Sequence, residues 1–107
     1  MAIILCKRKN GSIYITFGTD TTIRFSSRIK SALSKLVLLP EKNFYVDLAS
    51  VQETDITFFQ LLIAFNEKMK KQNRPVILLK PAVQSGFMVT AAECGVDVGS
   101  LFEIEDG

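Results

Sequence analysis

Residues 44–62 read FYVDLASVQETDITFFQLL, and the period of the side chains changes within them. Phe44-Tyr45-Val46-Asp47-Leu48 is short and rich in aromatic and β-branched residues, as expected of a central strand. From about Thr57 to Lys71 the apolar positions Phe58, Leu61, Leu62, Phe65 and Met69 fall on one helical stripe, and Phe59 and Ile63 widen it. A stripe that wide suits a helix pressed on a sheet, so the aromatics are expected in the core. The junction between strand and helix holds Thr54, Asp55 and Thr57. Free backbone N–H groups at a helix start attract a capping oxygen or an anion. Asp55 is a natural N-cap, and Thr57 with Gln60 three residues later fits a capping box.

Upstream, Ala2 to Lys7 is an apolar run and Ile13 to Phe17 alternates with the period of a half-buried strand. Asn10-Gly11 between them tolerates positive φ at both positions and predicts a hairpin turn. Gly18-Thr19-Asp20 reads as a second turn and Thr21 to Arg24 as a short extended piece. Ile29, Leu33, Leu36 and Val37 then mark one face of a first helix, with Ser26 or Ser27 as its cap and Pro40 as its stop. Downstream, Asn73-Arg74-Pro75 is a loop. Val76 to Leu79 is a continuous apolar run, expected of a strand covered on both faces. Pro81 suits the first turn of a third helix, with Val83, Phe87 and Ala91 on its buried side and Gly95 as its C-terminal cap. Leu101 to Ile104 reads as a final short strand, and Glu103, Glu105 and Asp106 make the tail acidic.

The order is hairpin, helix, strand, helix, strand, helix, short strand. Alternation of strands and helices implies an α/β fold with a mixed sheet. Its N-terminal hairpin is antiparallel, its inner strands are parallel, and about three helices pack on it. At 107 residues the chain has room for one core, so residues 1–107 are read as a single domain.

Composition narrows the function classes. The hydrophobic fraction is 48% and the net charge +2, which argues against disorder and against a polyanion partner such as nucleic acid. Basic residues gather only at Lys7, Arg8 and Lys9 and at Lys68, Lys70, Lys71 and Arg74, read as a solvated strand end and a helix C-terminus. With two cysteines and no histidine there is no metal-ligand spacing and no Cys/His catalytic pair. The N-terminal apolar run is too short for a signal-peptide core, and nothing approaches a membrane span. A cytoplasmic protein is expected, with Cys6 and Cys94 as reduced core residues. No glycine-rich phosphate loop appears. Asp47 and Asp55 are the one carboxylate pair that a strand–helix junction could bring together, and they read more simply as a strand end and a cap. The chain is therefore expected to be no enzyme and to need no cofactor.

Asp47-Leu48-Ala49-Ser50-Val51, then Asp55, then Phe59-Gln60-Leu61-Leu62 resemble the signature region of STAS domains, the sulfate transporter and anti-sigma factor antagonist family. Members typically show Asp-Leu-Ser-x-Val at a strand end, then Asp-Ser-Ser-Gly or Asp-Thr-Ala-Gly, then a leucine-rich helix. Arg74-Pro75-Val76-Ile77-Leu78-Leu79 and Gly95-Val96-Asp97 resemble the later strand and helix end. The resemblance implies a bacterial, non-catalytic, protein-binding regulatory module. It points to a partner such as a kinase-fold anti-sigma factor or a chemotaxis or two-component protein. The implied partner surface is Thr54, Asp55, Ile56, Thr57, Phe58 and Gln60.

The pattern departs from the family where regulation is concerned. The residue after the motif aspartate is a phosphorylatable Ser or Thr in regulated members, and here it is Ile56. Phe58 stands in place of the motif glycine, and Thr57, one residue late, is the remaining hydroxyl for a phosphate. Ile56 and Phe58 are expected to form an apolar contact patch, so that Phe58→Asp would weaken partner binding and leave the fold intact. The alternative implied by the same resemblance is an accessory subunit docking on the ATPase of a bacterial lipid-transport complex. The exposed edge strand near the N-terminus could pair with a second copy, which Lys7, Arg8 and Lys9 would discourage.

Overall fold

The computed structural model describes residues 3–105. Ala2 and Asp106, placed above in the first strand and the acidic tail, lie outside the described residues. A five-stranded sheet runs in the order β1 (Ile4–Lys9), β2 (Ser12–Phe17), β3 (Asn43–Asp47), β4 (Val76–Leu79) and β5 (Glu103–Glu105). β1 and β2 are antiparallel, and every other neighbouring pair is parallel. Asn10 and Gly11 turn the hairpin with φ of 51° and 79°, the positive values that an Asn-Gly turn supplies at low cost. Helices α1 (Ser26–Leu36), α2 (Ile56–Lys71), α3 (Gly86–Glu93) and the one-turn α4 (Val98–Leu101) connect the strands.

The register explains the core. Ile13, Phe44 and Val76 stand side by side across β2, β3 and β4, and Ile15, Val46 and Leu78 form the next row. All six are buried. They meet Ile29, Leu33 and Leu36 of α1 and Phe58, Phe59, Leu62, Phe65 and Met69 of α2 in one cluster. The alternate residues Tyr14, Tyr45, Ile77 and Leu79 are only half-buried and belong to the opposite face, which carries no helix of this cluster. The expectation that β4 is covered on both faces is therefore corrected: Ile77 and Leu79 are apolar without lying in the core.

Two polar residues hold the layers in place. Asn66 is buried on α2; its amide donates to the Leu101 carbonyl at 2.9 Å and its oxygen accepts the Val76 N–H at 3.2 Å. It thereby ties α2 to the start of β4 and the end of α4, and satisfies backbone groups that burial would otherwise leave unpaired. The Arg74 guanidinium donates to the carbonyls of Val37 and Glu41 at 2.6 and 2.9 Å and to that of Leu39, and lies over the Phe44 ring. Planar and multidentate, it closes the loop after α1 where Pro40 forbids a helical ladder.

Several local expectations are revised. Thr21 to Arg24 is not extended: Ile23–Phe25 is a turn of 3₁₀ helix running directly into α1. No side chain caps α1; Ser26 instead donates its hydroxyl to the Ile23 carbonyl, because the 3₁₀ turn supplies the helix entry. The third helix begins at Gly86 and not near Pro81, since Ser85 accepts the Met88 N–H and acts as its cap. Val83 consequently sits in a turn and is 80% exposed, whereas Phe87 and Ala91 are buried as anticipated. Gly95, at φ 72°, ends α3 in the left-handed conformation. The last strand starts at Glu103, because Asp97 caps the additional helix α4 just before it. Both cysteines are exposed and unpaired, contrary to the core role expected of them: β1 is a sheet edge, and Cys94 is the C-cap of α3. Partial desolvation still pushes the Cys6 thiol above its ordinary range.

Candidate functional site

The strand–helix junction lies at one end of the sheet, where three loops converge. The Gly18–Phe25 segment joins the β3–α2 loop through its backbone. The Thr19 carbonyl accepts the N–H groups of Gln52 and Glu53 at 2.9 Å, and the Thr21 N–H donates to the Glu53 carbonyl at 2.8 Å. Thr21 is buried at this seam. The third participant is the start of α3. A Cβ on Gly86 would stand 2.3 Å from the Gln52 carbonyl oxygen, so only glycine permits this approach.

Asp55 clamps the first two loops together. Its side chain caps α2 by accepting the Thr57 N–H at 3.0 Å, and its second oxygen accepts the Ile23 N–H at 2.9 Å. One carboxylate thus satisfies donors at the start of two helical segments, where partial positive charge favours it. The capping box is not used, because Asp55 is the N-cap and Thr57 is already inside α2. Beside it, Asp20 accepts the N–H and hydroxyl of Thr22 at 2.9 and 2.6 Å and lies 3.7 Å from Arg24. The Thr22 hydrogen bonds, chiefly, and the Arg24 charge hold the Asp20 carboxyl below the ordinary aspartate range.

The structure separates the anticipated contact residues. Ile56, the first residue of α2, is 46% exposed, and Gln60 one turn later is exposed as well. Thr54, Asp55 and Thr57 are half-buried, and the Thr54 hydroxyl is buried without a hydrogen-bond partner. Phe58 is fully buried. Its ring meets Phe17 edge-on at 4.9 Å and Phe87 at 6.1 Å, beneath the junction and not on it. Phe58 is therefore removed from the contact surface, and Phe58→Asp is expected to disrupt the core and not merely partner binding. The reason is helical geometry: two positions along α2 are about 200° apart, so Ile56 and Phe58 face opposite ways.

Two residues join the site that the sequence had not offered. Ile23 is 69% exposed, and its backbone is held by the same aspartate that caps α2. Val83 is exposed in the turn leading to α3, whose first residue packs on the Gln52 backbone. Large apolar side chains left in solvent on adjoining loops are the notable feature here, since an isolated one needs no explanation. Asp47 and Asp55 each hold backbone N–H groups. Asp47 accepts the Ala49 N–H at 2.9 Å, and Asp55 is committed to Thr57 and Ile23. Among the described residues no group of three or more His, Cys, Asp or Glu could hold a metal ion, and no helix is long and apolar enough to cross a membrane.

No family model matches the sequence, and no curated protein matches it. Solved structures do match. An anti-sigma factor antagonist from Mycobacterium paratuberculosis superposes with a TM-score of 0.80 at 13% identity, over 97% of this chain and 85% of that one. The unphosphorylated anti-sigma factor antagonist SpoIIAA superposes with a TM-score of 0.69 at 11% identity, over 97% and 88%. An RsbS variant from Moorella thermoacetica gives 0.72 at 16% identity, over 97% and 86%. The likeness is one of fold: the chain has the STAS fold of the anti-sigma factor antagonists.

Proposed function

We propose that this chain is a non-catalytic regulatory module that binds a protein partner through the loop end around Asp55. The observation that carries this reading is the exposure of Ile23, Ile56 and Val83 on loops that the Asp55 hydrogen bonds and the close approach of Gly86 to Gln52 bring together. A preorganised apolar rim loses little conformational freedom on binding, which favours protein recognition. The fold adds support, because proteins sharing it are described as anti-sigma factor antagonists. The partner is then a kinase-fold anti-sigma factor or a chemotaxis or two-component protein, met in the cytoplasm, with Thr54, Asp55, Ile56, Thr57 and Gln60 at or beside the contact.

Ile56 defines the regulatory reading. It occupies the position that resembles the family phosphosite and has no hydroxyl to modify. Thr57 does have one, but the Asp55 carboxylate holds its N–H at 3.0 Å. A phosphate on Thr57 would set two or nearly two further negative charges against that carboxylate. The module therefore binds without the phosphate switch.

The test is a pull-down from the source organism's lysate with wild-type protein and Ile56→Asp as parallel baits, read by mass spectrometry. Recovery of a kinase-fold regulator or chemotaxis protein by wild type, and its loss with Ile56→Asp, is the expected result. Recovery of a transporter ATPase would assign the chain to lipid transport instead. Phosphate found on Thr57 of the recovered bait would replace the unswitched reading with a shifted switch.

A further inference from the structure

The sheet has a second face, distant in role from the Asp55 loop end. Across it the register aligns Lys7, Tyr14, Tyr45, Ile77 and Glu103, one residue from each strand. Leu5 lies beside Thr16 in the adjoining row and Leu79 beside Glu105. The centre is largely apolar: Tyr14 and Tyr45 stack with ring centroids 5.0 Å apart and planes at 15°, next to Ile77 and Leu79, and Leu5 is 55% exposed. Its two margins carry opposite charge, lysine on β1 and glutamate on β5.

We infer that this face is the contact surface for a second copy of the same chain, in a two-fold pair with the sheets stacked face to face. The charge layout selects the arrangement. Two identical faces can stack about a two-fold axis lying in the interface along the strands or across them. An axis across the strands puts β1 over β1 and lysine over lysine. An axis along the strands puts β1 over β5, so Lys7 of each copy meets Glu103 of the other, and Tyr45 meets its own counterpart near the axis. Isologous contacts of this kind need a self-complementary surface, and the Lys7–Glu103 row supplies one, whereas the adjoining row sets Leu5 against Glu105. The same axis brings the two Asp47 carboxylates towards each other, which opposes association. Five strands spaced about 4.8 Å apart make a face only about 20 Å wide. With strands about 15 Å long the two copies bury roughly 600 Å² together, short of the roughly 1,200 Å² of stable complexes, so the pair is weak. This inference is independent of the partner reading above, because it uses a face of the sheet and not the loop end around Asp55.

Sedimentation equilibrium on the full chain between about 10 µM and 1 mM tests it. Wild type is expected to dimerise reversibly in the upper part of that range. Lys7→Glu and Glu103→Lys each replace two attractive contacts by two repulsive ones and are expected to weaken the dimer about tenfold. Mixed in equal amounts, the two variants are expected to recover the wild-type dimer, since each then meets its opposite charge twice. Asp47→Asn, which keeps the acceptor for Ala49, is expected to tighten the dimer severalfold. A chain monomeric throughout the range hands the face to some other protein and overturns the inference. So does a dimer indifferent to both charge reversals, or one that mixing does not restore.

Discussion

Ile56 and Phe58 stand two residues apart in the first turn of α2 and live in different regions of the molecule. Ile56 is exposed at the loop end, as are Ile23 and Val83 on loops joined to it; Phe58 belongs to an aromatic cluster with Phe17, Phe59 and Phe87. On the proposed reading the rim meets the partner, and the cluster packs beneath the loops that carry it. Hydrophobicity alone does not distinguish the two roles. What distinguishes them is the direction in which the helix turns each side chain, and α2 starts with Asp55 as its cap.

The sharpest way to break the comparison is to put charge into the cluster. Phe58→Asp buries a carboxylate among aromatic rings with no cation to pair it, and is expected to leave the chain unfolded at 25 °C by circular dichroism. Phe58→Ala, which only opens a cavity, is expected to cost about 3–5 kcal/mol in urea unfolding. Next comes the seam between rim and cluster. Gly86→Ala forces a methyl group against the Gln52 carbonyl and is expected to cost about 1–3 kcal/mol. A neutral result in the same unfolding experiment would mean that the start of α3 moves freely, and the rim would lose its rigid support.

The clamp itself is worth less. Asp55→Ala removes an N-cap and the bond to Ile23, and is expected to cost about 1–2 kcal/mol, with Asp55→Asn retaining most of it. The rim should respond least. Ile56→Asp is expected to change unfolding by less than about 0.5 kcal/mol while abolishing partner recovery. A large loss of stability there would return Ile56 to the core and undo the comparison. Asp20 adds a small acid dependence: its folded-state pKa is lowered, so its stabilising contribution is present above the ordinary aspartate range and is lost as pH falls through the lowered value. Thr22→Ala, which removes the hydroxyl donor, should flatten that part of an acid-unfolding profile.

Much of this organisation was legible in residue order. The alternation of Ile13, Ile15 and Phe17, the Asn10-Gly11 turn and the long stripe of α2 are local patterns with local causes, and each stands where its period placed it. Asp55 was readable as a cap for the same reason. Its second bond, to Ile23, was not, because the partner lies 32 residues away. Asn66 was invisible for a similar cause: a polar residue at a helical position reads as solvated until the backbone it serves is seen. Val76 to Leu79 misled because an apolar run is compatible with one covered face or two. Pro81 misled because proline at a helix start and proline at a strand exit look alike.

By itself the sequence determined the α/β order, the hairpin, the helical face of α2 and the absence of a hydroxyl at position 56, since each follows from period, turn chemistry or residue identity. Only the tertiary structure decided that Phe58 is core and Ile23 and Val83 are surface, that Gly86 permits a backbone contact with Gln52, and that Lys7 and Glu103 margin one open face. Those facts depend on which distant segments meet. Burial and opposition are properties of packed neighbours, and no single stretch of chain carries its neighbours with it.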